Sequence, residues 1–325
     1  MKQINAYGKV ILFGEHAVVY GHPALALGVP DGMVLHSFAR TPARMRVRVQ
    51  DWDLDVDDTS DMPVGEALRR LSRAMPGEGG CDAVVRSSIP MGAGLGSSAA
   101  MAVVLVRALA AARGRDMGQD EIRAMAHLLE HVFHGHPSGI DDAVATYGGL
   151  CLFRKEGWDV RSRANRTYRF IARDVVKVPY SLPPLVIGDT GVGRSTAKMV
   201  GLVRQQREED PERVDAGFVE IESCLQKGLD AIESCDRSGL GKAMLRNQKV
   251  LADLGLSCPD IERMISLALG AGAYGAKLTG AGGGGCVVTL APGREKAVIE
   301  AWACAGYRGW SVGPARASER IAEVA

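Results

Sequence analysis

Residues 88–109 read SIPMGAGLGSSAAMAVVLVRAL, with Gly92, Gly94 and Gly96 followed by Ser97 and Ser98 and then a long apolar run. Glycine loses more conformational entropy on folding than any other residue, so a cluster of it where a helix begins implies a close approach to the backbone. The preceding segment, CDAVVRSSIP (81–90), predicts a strand, and the apolar run predicts a helix from about 97 to 113. A strand, a glycine loop and a helix in that order leave the first helical N–H groups unpaired at the positive end of the helix dipole. A phosphate is the anion that suits such a place. The segment is not a P-loop, because no lysine follows the last glycine, and it is not GxGxxG. Read alone, it leaves open a tight strand-to-helix turn capped by Ser97.

The rest of the chain narrows the class. Its 325 residues are enough for two domains. A formal net charge of +1 gives no basic field for nucleic acid or for an acidic membrane. Aromatic residues at 5% are too few for base-stacking platforms. The seven cysteines are scattered, with no CxxC pair, which argues against a disulfide framework or zinc site and for a reducing, cytoplasmic setting. The N-terminal apolar stretch is interrupted by Glu15 and His16 and does not read as a signal peptide. No apolar run approaches membrane-spanning length.

Mixed elements follow one another along the chain. KVILF (9–13) predicts a buried strand that ends in a turn at Gly14. Between Met45 and Val56 the apolar alternation changes phase at Gln50–Asp51, which predicts a hairpin. A helix is expected over 120–134, with Ile122, Met125, Ala126, Leu129 and Phe133 on one stripe. The prolines of VPYSLPPLVIGDTG (178–191) suggest a domain boundary, giving domains 1–182 and 183–325. Helices are expected near 209–236, 238–254 and 259–270, before a second glycine cluster at 280–285. The fold class is α+β, with largely antiparallel sheets.

Four segments, in order, carry a family resemblance: GKVILFGEHAVVYGHPALALG (8–28), PMGAGLGSSAA (90–100), HPSGIDDAVATYGG (136–149) and AKLTGAGGGGCVVTL (276–290). Together they resemble the motifs of the GHMP kinases over most of the chain. The Ala17-Val18-Val19 that follows Gly14-Glu15-His16, and the segment NQKVLADLGLSCPDIERMI (247–265), are most similar to mevalonate kinases of the short microbial form. The resemblance implies a ribosomal-protein-S5-like N-terminal domain and a ferredoxin-like C-terminal domain. It implies an ATP-dependent phosphotransferase acting on the primary hydroxyl of mevalonate, with Mg²⁺ as cofactor. It is compatible with a homodimer, although the sequence leaves the oligomeric state open.

The resemblance also assigns roles. Gly92, Ala93, Gly94, Leu95, Gly96, Ser97 and Ser98 would bind ATP. Ser98 and Glu130 would hold Mg²⁺, a cation content with few protein oxygens beside phosphates and water. Glu130 lies about 80° around the helical wheel from Ile122, at the edge of the apolar stripe, where a carboxylate can face a cleft. Asp141 and Lys9 would be catalytic: the carboxylate accepts or orients the substrate hydroxyl, and the lysine keeps it ionised. Glu15, His16 and Thr196 would contact the substrate, and Arg194 is a weaker candidate for its carboxylate.

Two departures are visible. Asp142 stands where the family usually has asparagine, and Tyr7 where it has proline. A second carboxylate beside Asp141 would perturb the first if both faced one cleft, so another small alcohol is the alternative substrate. A decarboxylase on the same fold is a further rival. His127, His131 and His134 fall about 120–180° from Ile122, which reads as a solvated face rather than a metal site.

Overall fold

The computed structural model describes residues 4–134, 137–154, 169–172, 175–193 and 195–313. Arg194 and His136 lie outside the described residues. The chain forms two compact units. One contains Met1–Lys9, Gly28–Met91 and Leu95–Gly148, and the other contains Val10–Leu27, Gly92–Gly94 and Gly149–Ala325.

The first unit takes in part of β1 (Asn5–Phe13) and most of β2 (Ala24–Thr41). It continues with β3 (Met45–Val49), β4 (Leu54–Asp57), α1 (Pro63–Ala74), β5 (Gly80–Ser87), α2 (Ser97–Ala112), α3 (Gln119–His134) and α4 (Ile140–Tyr147). Its strands lie in the order β4-β3-β5-β2, with β1 also paired to β2. β3 runs parallel to β5, and the β3–β4 and β2–β5 pairs are antiparallel. The phase change at Gln50–Asp51 is a short 3-10 turn, Gln50–Trp52, that joins β3 to β4. Twelve residues of α2 are buried, from Ala99 to Ala112, so this helix is apolar nearly all round and forms the centre of the unit. It packs against α3, α4 and β5. On α3, Ile122, Ala126 and Leu129 are buried as the stripe requires, Met125 and Phe133 are half-buried, and Glu130 is buried with them.

The second unit contains β6 (Gly149–Phe153), β7 (Arg169–Ala172) and β8 (Val175–Lys177), which pair antiparallel in the order β6-β8-β7. It also holds β9 (Leu185–Asp189), α5 (Thr196–Glu209), α6 (Pro211–Glu233), α7 (Arg237–Asp253) and α8 (Pro259–Gly270). The last elements are β10 (Gly275–Thr279), β11 (Cys286–Leu290), α9 (Glu295–Cys304) and β12 (Arg308–Val312). The antiparallel sheet β10-β11-β9-β12 carries α8 and α9 on its core, around Trp302, Val287, Leu278 and Ile261. α5 is an element the sequence did not announce: only Met199 and Val203 on it are buried, too few for a clear stripe. No helix among the described residues is long and apolar enough to cross a membrane.

Candidate active site

In the first unit, Lys9 near the middle of β1 is 5% exposed. Its Nζ donates to Oδ1 of Asp141, at 2.8 Å. Asp141 stands in the first turn of α4, where the helix dipole favours a carboxylate. The backbone closes on the same lysine: Lys9 N donates to Leu95 O at 2.7 Å. Gly96 caps α2 with φ of 71°, and a Cβ there would lie 3.1 Å from the Cβ of Lys9. This position therefore requires glycine twice over, once for its left-handed backbone and once for space.

At the second residue of α2, Ser98 Oγ donates to Glu130 Oε2 at 3.3 Å and lies 3.0 Å from His134 Nε2. Glu130 is 1% exposed, and its Oε1 is buried without a hydrogen-bond partner. Burial, reinforced by the negative charge of Asp141, pushes its carboxyl up to about 8. A buried carboxylate with one orphaned oxygen beside a serine hydroxyl fits a small oxygen-seeking cation. Among the described residues no cluster of three His, Cys, Asp or Glu side chains forms a metal cage. The histidine face is solvated as expected, with His131 exposed and the side chains of His127 and His134 39% and 42% exposed, but two of its members also make inward contacts. His134 reaches Ser98, and its own pKa is lowered by burial. His127 Nδ1 lies 3.2 Å from the buried Asp142.

In the second unit, β1 ends at Gly14, where φ is 98° and a Cβ would meet Ala24 and Pro23 at about 2.5 Å. Glu15 and His16 follow, both buried. His16 adopts φ of 57° and ψ of −48°, outside the favoured regions for a residue with a side chain. Its Nε2 lies 2.9 Å from the carbonyl of Ala281, in the glycine turn between β10 and β11. Glu15 pairs with Lys277 of β10, and both side chains are wholly buried. The 3-10 turn Ala17–Tyr20 behind them is fixed on α6 by Tyr20 stacked on Phe218, with ring centroids 4.9 Å apart. The glycine turn also holds the segment before α5: Thr190 N donates to Gly285 O, and Gly285 N to Val192 O. Thr196 begins α5 and is exposed.

Comparison with known proteins fits this arrangement. The family model for the GHMP kinases N terminal domain matches residues 63–149, and that for the GHMP kinases C terminal matches residues 229–308. Mevalonate kinase of Pyrococcus horikoshii is 31% identical, with 98% of this chain and 97% of the relative covered. The chain belongs to the mevalonate kinase family of the GHMP kinases. Mevalonate kinase of Archaeoglobus fulgidus is 34% identical over 90% of this chain and 93% of its own. The crystal structure of L. major mevalonate kinase in complex with R-mevalonate is 25% identical, with a TM-score of 0.79, covering 97% of this chain and 96% of that one. The two-domain α+β fold is thus that of the mevalonate kinase family.

Of the residues singled out from the sequence, Lys9 pairs with Asp141 and Ser98 with Glu130, all four in the first unit. Sequence reasoning missed Lys277, the partner of Glu15. Its signal was a lysine inside the apolar strand GAKLT, where every residue is buried. A lysine there must meet a carboxylate. It also missed Arg123, which binds Asp142, and the reach of His134 to Ser98.

Proposed function

We propose that the chain transfers the γ-phosphoryl group of ATP directly to the primary hydroxyl of mevalonate, giving 5-phosphomevalonate and ADP. The observation that carries this reading is the 2.8 Å pair of Lys9 and Asp141 in the same unit as the Ser98–Glu130 pair. Asp141 orients the substrate hydroxyl and receives its proton as the new O–P bond forms. The bond from the γ-phosphorus to its bridging oxygen breaks, and ADP leaves with that electron pair. Lys9 supports the ionised form of Asp141 and meets negative charge that develops at the reacting oxygens. The loop Gly92–Ser98 offers backbone N–H groups and hydroxyls to the phosphates of ATP. Ser98 and Glu130 would hold Mg²⁺, which supplies neutralising charge to the phosphates when bound. Glu15, His16 and Thr196 would bind the hydroxy acid.

A coupled ADP-release assay with Mg-ATP, comparing mevalonate, its phosphates, galactose and homoserine, tests this reading. Turnover confined to mevalonate, without CO₂ release, supports it. Turnover on galactose or homoserine alone would replace the substrate. Ser98→Ala and Glu130→Gln should each raise the Mg²⁺ concentration needed for half-maximal rate, and an unchanged Mg²⁺ titration in both would remove these residues from the metal site.

A further inference from the structure

We propose that Arg123, Asp142 and His127 form an ionic clamp that positions the carboxylate of Asp141. This rests on the reading of Asp141 as the carboxylate that meets the substrate hydroxyl. Arg123 of α3 donates from Nε to Asp142 Oδ2 at 3.1 Å and from Nη2 to the Gly139 carbonyl at 3.2 Å. His127, one turn further along α3, places Nδ1 3.2 Å from Asp142 Oδ1. The clamp therefore grips α4 on both sides of Asp141, at the capping glycine and at the residue after it. Successive side chains on a helix diverge by about 100°, so Asp142 turns to α3 while Asp141 reaches Lys9. Asp142 is 1% exposed. Its charge acts on Glu130 from within the same unit, and the Arg123 guanidinium opposes the burial that raises the Asp142 carboxyl. A planar fork can serve a carboxylate and a carbonyl together, which a lysine cannot do in the same geometry. Arg123 is itself braced by the Tyr147 ring, 6.0 Å from the guanidinium carbon, and the Tyr147 hydroxyl donates to Asp120. The Asp–Arg pair ties α4 to α3. Arg123 and His127 are positioning residues.

The test has two readouts on the full chain. In Arg123→Gln, amide hydrogen exchange at residues 140–143 of the ligand-free protein should accelerate about tenfold or more. On mevalonate, kcat should fall about 10- to 100-fold while the KM for ATP stays within about twofold, the pattern of a misplaced reacting group. Adding Asp142→Asn removes the stranded charge, and the double variant should recover exchange protection and most of kcat. Arg123→Lys, which keeps the charge and loses the fork, should fall between wild type and Arg123→Gln, and it serves if the glutamine variant does not fold. Wild-type exchange and kcat in Arg123→Gln or in Arg123→Lys would overturn the clamp. So would a folded double variant no better than Arg123→Gln. Asp141→Asn, run beside them, separates the two readings: if it keeps wild-type kcat, the role of Asp141 fails, and the exchange readout still decides the clamp.

Discussion

Glu130 shows how burying one carboxyl costs folding stability. Its carboxyl is buried and raised to about 8 from an ordinary 4.5. Below about pH 4.5 both the folded and the unfolded chain carry it protonated, and it costs nothing. Between there and about pH 8 the unfolded chain ionises while the folded, metal-free chain keeps its proton, so stability falls as pH rises. Above about pH 8 the full cost, a few kcal/mol, is present. Glu130→Gln should therefore be more stable than wild type in EDTA, with the advantage growing from pH 5 to pH 8. Urea unfolding at several pH values measures it, and parallel pH profiles for the two proteins would refute it. Asp141 gives the complementary case. Asp141→Asn keeps the shape and removes the proposed proton acceptor, so on that reading kcat should fall by about 10²- to 10⁴-fold. Calorimetric titration should still find ATP binding within about twofold of wild type, and a large loss of ATP affinity would assign Asp141 to the nucleotide instead.

At the scale of elements, the start of α2 is where sequence and structure agree most closely. The expected helix from 97 to 113 is α2, Ser97–Ala112, and the expected strand before it is β5. These were legible because the apolar run, the glycines and the strand-forming residues all point the same way. Other elements lacked such agreement. β2 runs through Gly28, Pro30 and Gly32 before its register with β5 begins at Met33, and β1 also pairs with it. α5 buries too little to show a period. The glycine loop itself yields a direct test. Gly96→Ala puts a Cβ on a left-handed backbone and against Lys9. It should lower stability by about 1–2 kcal/mol and weaken ATP binding. Unchanged thermal unfolding and ATP affinity would mean that the loop tolerates a side chain and that its glycines serve another purpose.

At the scale of the whole molecule, the candidate residues are assembled from distant parts of the chain. Lys9 and Asp141 are 132 positions apart, and Glu15 and Lys277 are 262 apart. Local patterns identify an element and its exposed face, but not which residue of a remote element will close on it. That is why the pairings of Arg123 with Asp142 and of Lys277 with Glu15 were not legible in the sequence. The Glu15–Lys277 pair also carries a global consequence. Both groups are wholly buried, and burial lowers the pKa of Lys277 against the pull of Glu15. Lys277→Met strands a buried carboxylate and should destabilise the protein by about 3–5 kcal/mol. Glu15→Gln combined with Lys277→Met should recover much of that loss in chemical denaturation. A double variant as unstable as Lys277→Met alone would show that packing rather than charge pairing holds these strands. The most direct measurement of the central claim is ³¹P NMR of the purified protein with Mg-ATP and mevalonate. The account predicts ADP and a single new phosphomonoester resonance, coupled to the methylene protons of the mevalonate primary alcohol. Inorganic phosphate in place of that resonance, or no reaction at all, would contradict it.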